Sequence, residues 1–326
     1  MKKMFILCLF IGTLFSCGPR LSDDRWHRGE GQFIFTEYDP LSDRPILVYF
    51  YIPEEGNIRN MPVLMTVHGA QRTSRPNVDN WKEFASRDGF IIIAPQFCRE
   101  LFCENDYQFG GVVSYLGATE LAARELWVYN LIEAVFDDFL HHTRSRARTY
   151  DFWGHSAGGQ FVHRMLLSMP EARVGRAVAA NPGNWTFPIY GLEDASGKVF
   201  GWPFSVKNTP FGCRENLKQF FARDLTVAIG TLDTLTTADD FPRSKEAMAQ
   251  GRDRVVRGHN FFNTAKQVAV DMGLPFNWSF VEVEGIGHSG RGMVFGRYEM
   301  VDGVMVTCID DLAPISGYNI LFNHRK

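Results

Sequence analysis

Six short apolar runs, separated by stretches with helical periodicity, constrain the fold of this chain more than any other feature. The runs are PVLMTVHG, GFIIIAPQ, ARTYDFWGHS, GRAVAANPG, LTVAIGTLD and WSFVEVEGIGH. Their apolarity is continuous rather than alternating, which is typical of strands that are buried on both faces of a parallel sheet. Alternation of such strands with helices predicts a doubly wound α/β fold, with functional groups at the carboxyl ends of the strands.

Two β-rich segments precede these runs and predict an antiparallel hairpin. They cover residues 32–38 and 45–53 and are separated by a DPLSDRP turn. The clearest helix is expected over 119–141, where one face is apolar, with Leu121, Val128, Leu131, Ile132, Val135 and Phe139. Region 186–223 is rich in aromatic residues and has no clean period, so we interpret it as an insertion over the functional site.

The N-terminus is typical of an exported protein. In MKKMFILCLFIGTLFSC, two lysines precede an apolar run that is too short for a comfortable bilayer span, which predicts a signal peptide over residues 1–16. Leu14 to Cys17 resembles a bacterial lipobox, in which the cysteine is acylated after cleavage. We therefore expect a lipid-anchored protein of the cell envelope, a linker over 17–31 and one domain over 32–326. A plain secreted or periplasmic protein, or an uncleaved anchor, remains the alternative.

Composition excludes several classes of function. The 326 residues are 45% hydrophobic and carry a formal net charge of −3, which gives no basic surface for nucleic acid. The six cysteines form no CxxC pair and no zinc spacing, so neither a metal nor an organic cofactor is expected. Export permits disulfides, and two pairs are open: Cys98 with Cys103, and Cys213 with Cys308. Oligomeric state cannot be deduced from these features.

The segment GHSAG, residues 154–158, is the strongest motif. It follows the strand-like TYDFW and precedes a helix-like run, which is the context that exposes a nucleophile on a sharp turn. Glycine is expected at positions 154 and 158 for a physical reason. Such a turn leaves no space for side chains two residues on either side of Ser156. A serine that merely caps a glycine-rich helix start is the alternative.

A serine hydroxyl needs a base to take its proton and an acid to orient that base. In proteins built on such a turn, the acid and then a histidine follow the serine in the chain. Asp233 comes directly after LTVAIG, and His288 is the histidine that lies just past a late strand. Asp239 and Asp240 are rivals for the acid, although they lie further from the strand and are expected to be solvated loop charges.

Backbone amides are expected to complete the site. One donor is the N–H of Ala157, directly after the serine. The second is the N–H of Ala70 in the HGA loop that follows an early strand, with His68 orienting the loop by hydrogen bonds. A simple turn at HGA is the alternative.

With these residues in place, the sequence resembles the α/β-hydrolases, from VLMTVHGA through WKEFASRDGFIIIAPQ and GHSAGGQFVHR to GIGHS. It is most similar to exported bacterial esterases and depolymerases of the polyhydroxybutyrate depolymerase and feruloyl esterase type. The resemblance implies cleavage of a small or polymeric carboxylic ester through an acyl-enzyme intermediate. It implies Ser156, Asp233 and His288 as the catalytic triad, and Ala70 with Ala157 as the oxyanion hole.

Two other functions remain open at this level. A serine peptidase would use the same triad, although such enzymes usually carry a large extra domain. A non-catalytic, glycan-binding surface lipoprotein would explain the tether, with Trp153, Trp185 and Trp202 stacking on sugars. It would not explain a complete triad.

Overall fold

The computed structural model describes residues 25–115 and 117–322. The strands, in chain order, are β1 Gly29–Phe35, β2 Ile46–Ile52, β3 Val63–Val67, β4 Ile91–Gln96, β5 Tyr150–His155, β6 Val174–Ala180, β7 Leu192–Glu193, β8 Val199–Phe200, β9 Asp224–Gly230, β10 Ser279–Val283, β11 Glu299–Val301 and β12 Val304–Val306. The helices are α1 Arg75–Asp88, α2 Glu104–Tyr107, α3 Asn130–Thr143, α4 Ala157–Ser168, α5 Arg214–Phe221, α6 Lys245–Gln250, α7 Arg254–Asp271, α8 Gly290–Phe295 and α9 Gly317–Phe322.

Within the described residues, eight strands form one sheet in the order β1-β2-β4-β3-β5-β6-β9-β10. Pairing is parallel from β4 to β10 and antiparallel at β1–β2 and β2–β4. The predicted parallel α/β sheet with an N-terminal antiparallel hairpin is therefore confirmed. The first strand lies three residues earlier than its predicted bounds, at Gly29–Phe35.

The sheet is covered by helices on both faces. Along β3, Val63, Met65 and Val67 pack into one hydrophobic cluster and Leu64 into another, because successive side chains of a strand point to opposite faces. Helices α3, α4, α5 and α7 contribute aromatic side chains to the first cluster, and α1, α8 and α9 to the second. Burial on both faces explains the continuous apolarity of these strands.

The helix expected over 119–141 begins eleven residues late. Helix α3 covers Asn130–Thr143, and residues 119–129 form turns with one short 3-10 segment, Arg124–Leu126. The backbone N–H of Ala122 donates to Val112 O, and that of Val128 donates to Gly110 O, instead of to carbonyls of a preceding helical turn. Tertiary hydrogen bonds therefore override the apolar period, and Leu121 is left 37% exposed.

The region interpreted as an insertion, 186–223, is partly regular. Helix α5 lies near its end and packs against α4 and α7, and the rest contains the short strands β7 and β8. Its aromatic side chains are largely buried, Trp202 among them. None of its residues lines the two cavities over Ser156 described below, but residues 200–204 line a neighbouring cavity that shares Glu104 and Pro242 with one of them. That the region is an insertion over the functional site stays a prediction.

Neither of the two disulfides that the sequence left open is formed within the described residues, where Cys98, Cys103, Cys213 and Cys308 are all free. Cys17 and the predicted signal peptide lie outside the described residues. Between residues 25 and 322, Leu116 excepted, no helix is both long and apolar enough to cross a bilayer. The same residues contain no cluster of three or more His, Cys, Asp or Glu side chains suited to a metal ion.

Candidate active site

Ser156 lies on a sharp turn between β5 and α4. Its backbone has φ 58° and ψ −120°, a region that non-glycine residues seldom adopt, and its N–H donates to Ala180 O at 2.8 Å. The turn is thus anchored to the neighbouring strand β6. Ser156 itself is 8% exposed, so its hydroxyl opens to one side only.

The two glycines that flank the serine are required by close backbone approach. A Cβ atom at Gly154 would overlap the carbonyl of Gly158, and a Cβ atom at Gly158 would overlap the carbonyl oxygen of Val67. The second overlap involves β3, the central neighbour of β5. Helix α4 starts in direct contact with the end of β3, and this is why the turn requires glycine at residue 158.

His288 and Asp233 complete a hydrogen-bonded relay with the serine. The distance from Ser156 Oγ to His288 Nε2 is 3.0 Å, and that from His288 Nδ1 to Asp233 Oδ2 is 2.7 Å. Asp233 follows β9 and is buried, and His288 follows β10 with its side chain 20% exposed. Because the carboxylate accepts from Nδ1–H, the lone pair of Nε2 faces the serine hydroxyl, as proton abstraction requires.

Asn181, which the sequence analysis did not single out, ties the loops of this relay together. It directly follows β6; its Oδ1 accepts from Gly230 N at 2.8 Å and its Nδ2 donates to Gly287 O at 3.3 Å. These two partners lie at the end of β9 and immediately before His288. A polar residue directly after an apolar strand was the available signal.

Arg254 is a second residue that the sequence analysis did not single out, and in its case no pattern in the sequence indicates a role. Its guanidinium is buried and lies 3.3 Å from Asp233 Oδ1 and 3.1 Å from Asp240 Oδ1. Asp240, interpreted above as a solvated loop charge, is exposed, with 41% of its side chain accessible, but it is also paired with Arg254. Its Oδ2 lies 3.5 Å from His288 Nε2. Asp239, in contrast, forms no hydrogen bond or ion pair with any described residue.

The HGA loop after β3 is held rigidly beside the serine. His68 Nδ1 lies 2.9 Å from Gly69 O, and His68 Nε2 accepts from Phe97 N at 3.0 Å. Burial lowers the pKa of His68 to about 3, so the ring stays neutral and keeps this acceptor. Tyr107 donates its hydroxyl hydrogen to His68 O. These bonds orient the loop that carries Ala70.

An open cleft lies over Ser156 and divides into two cavities of about 580 Å³ each. One extends over Ala157 and Gln160, and the other contains the His288 ring. Ser156, Ala70, Arg99, Asp239 and Asp240 line both cavities. The amides of Ala70 and of Ala157, the first residue of α4, therefore belong to loops that border the same space as the serine hydroxyl.

Comparison with known proteins gives two informative structural matches. The chain is similar to poly(aspartic acid) hydrolase-1 from Sphingomonas sp. KT-1, with 33% identity and a TM-score of 0.73 over 81% of this chain and 95% of that chain. It is also similar to LpqC, a poly(3-hydroxybutyrate) depolymerase from Bordetella parapertussis. The identity is 28% and the TM-score is 0.74, over 87% of this chain and 94% of that chain. No protein-family model and no curated protein matches the sequence.

The close approach at Gly158 makes a testable prediction about stability. Gly158→Ala is expected to lower the free energy of unfolding by about 1–3 kcal/mol, because a methyl group there overlaps backbone that cannot move cheaply. Alanine would otherwise stabilise a helical position. Gly69→Ala is the control, since the nearest atoms to its added Cβ lie at 3.8 Å. Urea denaturation measures both, and equal stabilities would refute the constraint.

Proposed function

The chain belongs to the α/β-hydrolase family, and we propose that within it this protein is a serine hydrolase that cleaves carboxylic esters through an acyl-enzyme intermediate. Ser156 is the nucleophile, His288 the general base and Asp233 the acid that orients it. The observation that carries this proposal is the continuous relay of 3.0 Å and 2.7 Å that ends on a serine in a strained turn bordering the cleft.

The relay supports the following sequence of events. His288 Nε2 takes the proton of Ser156 as Oγ attacks the ester carbonyl, and Asp233 stabilises the imidazolium that forms. The N–H groups of Ala70 and Ala157 donate to the developing oxyanion. His288 then protonates the departing alcohol, and water later releases the acid from the serine by the same steps. No metal or cofactor takes part in this proposal.

Amide hydrolysis is the second candidate. It is favoured by the relative at 33% identity, whose name assigns it a poly(aspartic acid) substrate, since that polymer is a polyamide. A p-nitrophenyl ester and the p-nitroanilide of the same acyl group separate the two. We expect hydrolysis of the ester without detectable release of p-nitroaniline, and rapid cleavage of the anilide would replace the ester proposal by a peptidase.

A non-catalytic glycan-binding role has less support. Trp185 is fully buried and stacks on Phe261 at 4.3 Å, and Trp153 packs edge to face on Trp81 at 5.2 Å. Neither ring is available to a sugar. The cleft is also lined by polar and charged side chains rather than by exposed aromatic rings.

The envelope location remains part of the proposal. A signal peptide over 1–16 and acylation of Cys17 would tether the domain, whose first strand β1 begins at Gly29, to a bilayer through the residues between them. The ester substrate, small or polymeric, would then be met outside the cytoplasm. This part rests on the sequence of the N-terminus alone.

Removal of the nucleophile is the principal test. Ser156→Ala is expected to abolish hydrolysis of p-nitrophenyl esters of rising chain length, with a loss on the order of a million-fold in kcat. The protein should remain folded, because only one oxygen is removed. Wild type should react with a fluorophosphonate probe and the variant should not. Activity above a hundredth of the wild-type value would refute the assignment.

The proposed role of Asp233 is tested by a variant that removes the charge of its side chain and keeps the shape. Asp233→Asn is expected to lower kcat by roughly ten-thousand-fold, because the amide favours the wrong imidazole tautomer. Asp239→Asn is the matched control on the same loop and should change kcat by less than about tenfold, as for an exposed charge. Kinetics on one activated ester measures both. A large loss at residue 239 with little loss at 233 would contradict the proposal.

The anchor is tested by fractionation. Cys17→Ser removes the thiol that would carry the lipid, so the protein is expected to leave the membrane fraction or to retain its signal peptide. Immunoblotting of membrane and soluble fractions, with mass spectrometry of the N-terminus, measures this. Unchanged processing and membrane association in the variant would contradict acylation at Cys17.

A further inference from the structure

Two carboxylates, not one, face the imidazole of His288. Asp233 Oδ2 lies 2.7 Å from Nδ1, and Asp240 Oδ2 lies 3.5 Å from Nε2, the nitrogen that also faces Ser156. The first carboxylate has its role in the relay. The second lies on the side of the ring where protons are exchanged with the substrate, and the reaction described above does not use it.

Arg254 holds Asp240 in this position by a hydrogen bond. Its Oδ1 accepts from Arg254 Nη2 at 3.1 Å, and its main-chain oxygen lies 3.4 Å from the same nitrogen. Arg254 also lies 3.3 Å from Asp233 Oδ1, and only 1% of its side chain is exposed. A buried guanidinium is stable only when paired, so it fixes both carboxylates relative to each other. Oδ2 of Asp240 is thereby left facing the cleft.

The two half-reactions place different molecules beside Nε2. During acylation, the leaving alcohol takes a proton from Nε2 and has no second O–H group. During deacylation, a water molecule gives one proton to Nε2 and has a second O–H that needs an acceptor. His288 Nε2 and Asp240 Oδ2, 3.5 Å apart, are two acceptors that one bridging water can reach at once.

We propose that Asp240 is a positioning residue for the hydrolytic water. The proposal rests on the acyl-enzyme reaction of Ser156. The water oxygen bonds to the acyl carbon, one proton passes to His288 Nε2, and the other stays on the oxygen in a hydrogen bond to Asp240 Oδ2. The carbon–Oγ bond then breaks, Ser156 Oγ recovers the proton from Nε2, and the carboxylic acid is released.

Asp240→Asn is the sharpest variant for this role. Arg254 donates to Oδ1, so the new amide keeps its oxygen there and turns its NH₂ group toward the water, which then loses an acceptor. Loss of a charge-assisted hydrogen bond predicts a deacylation rate roughly ten- to a hundredfold lower. The lost charge also lies beside the imidazolium that forms in both steps, so kcat/KM on an activated ester should fall as well. It should fall by less than kcat, because only deacylation uses the hydrogen bond to water, and KM should therefore fall too.

Competition between two nucleophiles gives the decisive measurement. Methanol, like the leaving alcohol, has a single O–H and needs no second acceptor. With wild type and Asp240→Asn in aqueous methanol, chromatography measures the ratio of methyl ester to free acid. The ratio is expected to rise in the variant by about the factor by which kcat falls more than kcat/KM, because the loss that is common to both nucleophiles cancels. Asp239→Asn and Asp240→Glu should keep a ratio near that of wild type.

Each other outcome overturns the proposal. A ratio unchanged in Asp240→Asn, with kcat and kcat/KM reduced alike, would mean that Asp240 acts on both steps or only on the fold. The ratio is internal to one preparation, so partial misfolding does not affect it; if Asp240→Asn does not fold, Asp240→Ala is expected to give the same shift. Absence of methyl ester and of a burst in wild type would instead refute the acyl-enzyme reaction itself.

Discussion

The close contact between the start of helix α4 and the end of strand β3 is the constraint on which the rest of the site depends. Gly158 touches the carbonyl of Val67, and this contact allows the backbone at Ser156 to adopt its left-handed conformation. The strain is offset by the buried core on both faces of the sheet and by the bond from Ser156 N to Ala180 O. This one backbone contact therefore constrains both the position of Ser156 and its distance from the HGA loop.

Polar residues at the carboxyl ends of the strands connect the remaining loops. Asn181 bridges the end of β9 to the loop of His288, and Arg254 joins Asp233 to Asp240. Buried polar groups are costly unless they are bonded, and here the Nη1 and Nη2 groups of Arg254 are paired while its Nε has no partner. These bonds restrict how the loops can be arranged. This explains how residues 132 positions apart, Ser156 and His288, come within hydrogen-bond distance. It also makes the geometry of the proposed base depend on residues that never touch substrate.

The residues that line the cleft are where substrate specificity is expected to arise. They come from the segment after β4, which contributes Arg99, and from the loop after β9, which contributes Asp240. Charged side chains of both signs thus border the serine. The aromatic region 186–223 instead packs into the core, so differences in substrate between this protein and its relatives are expected in the two charged walls.

The sequence by itself determined the class of the fold and the chemistry that its strand ends offer. Continuous apolar runs can be satisfied only by a sheet covered on both faces, and GHSAG, Asp233 and His288 each follow such a run directly, so local pattern was enough to predict their place at the strand ends. It did not determine the start of α3, where bonds to Gly110 and Val112 override the period, nor the pairing of Arg254 with Asp233 and Asp240. Those depend on partners brought together across the sheet. Only the tertiary structure decided them, because long-range hydrogen bonds and ion pairs leave no periodic trace in the chain.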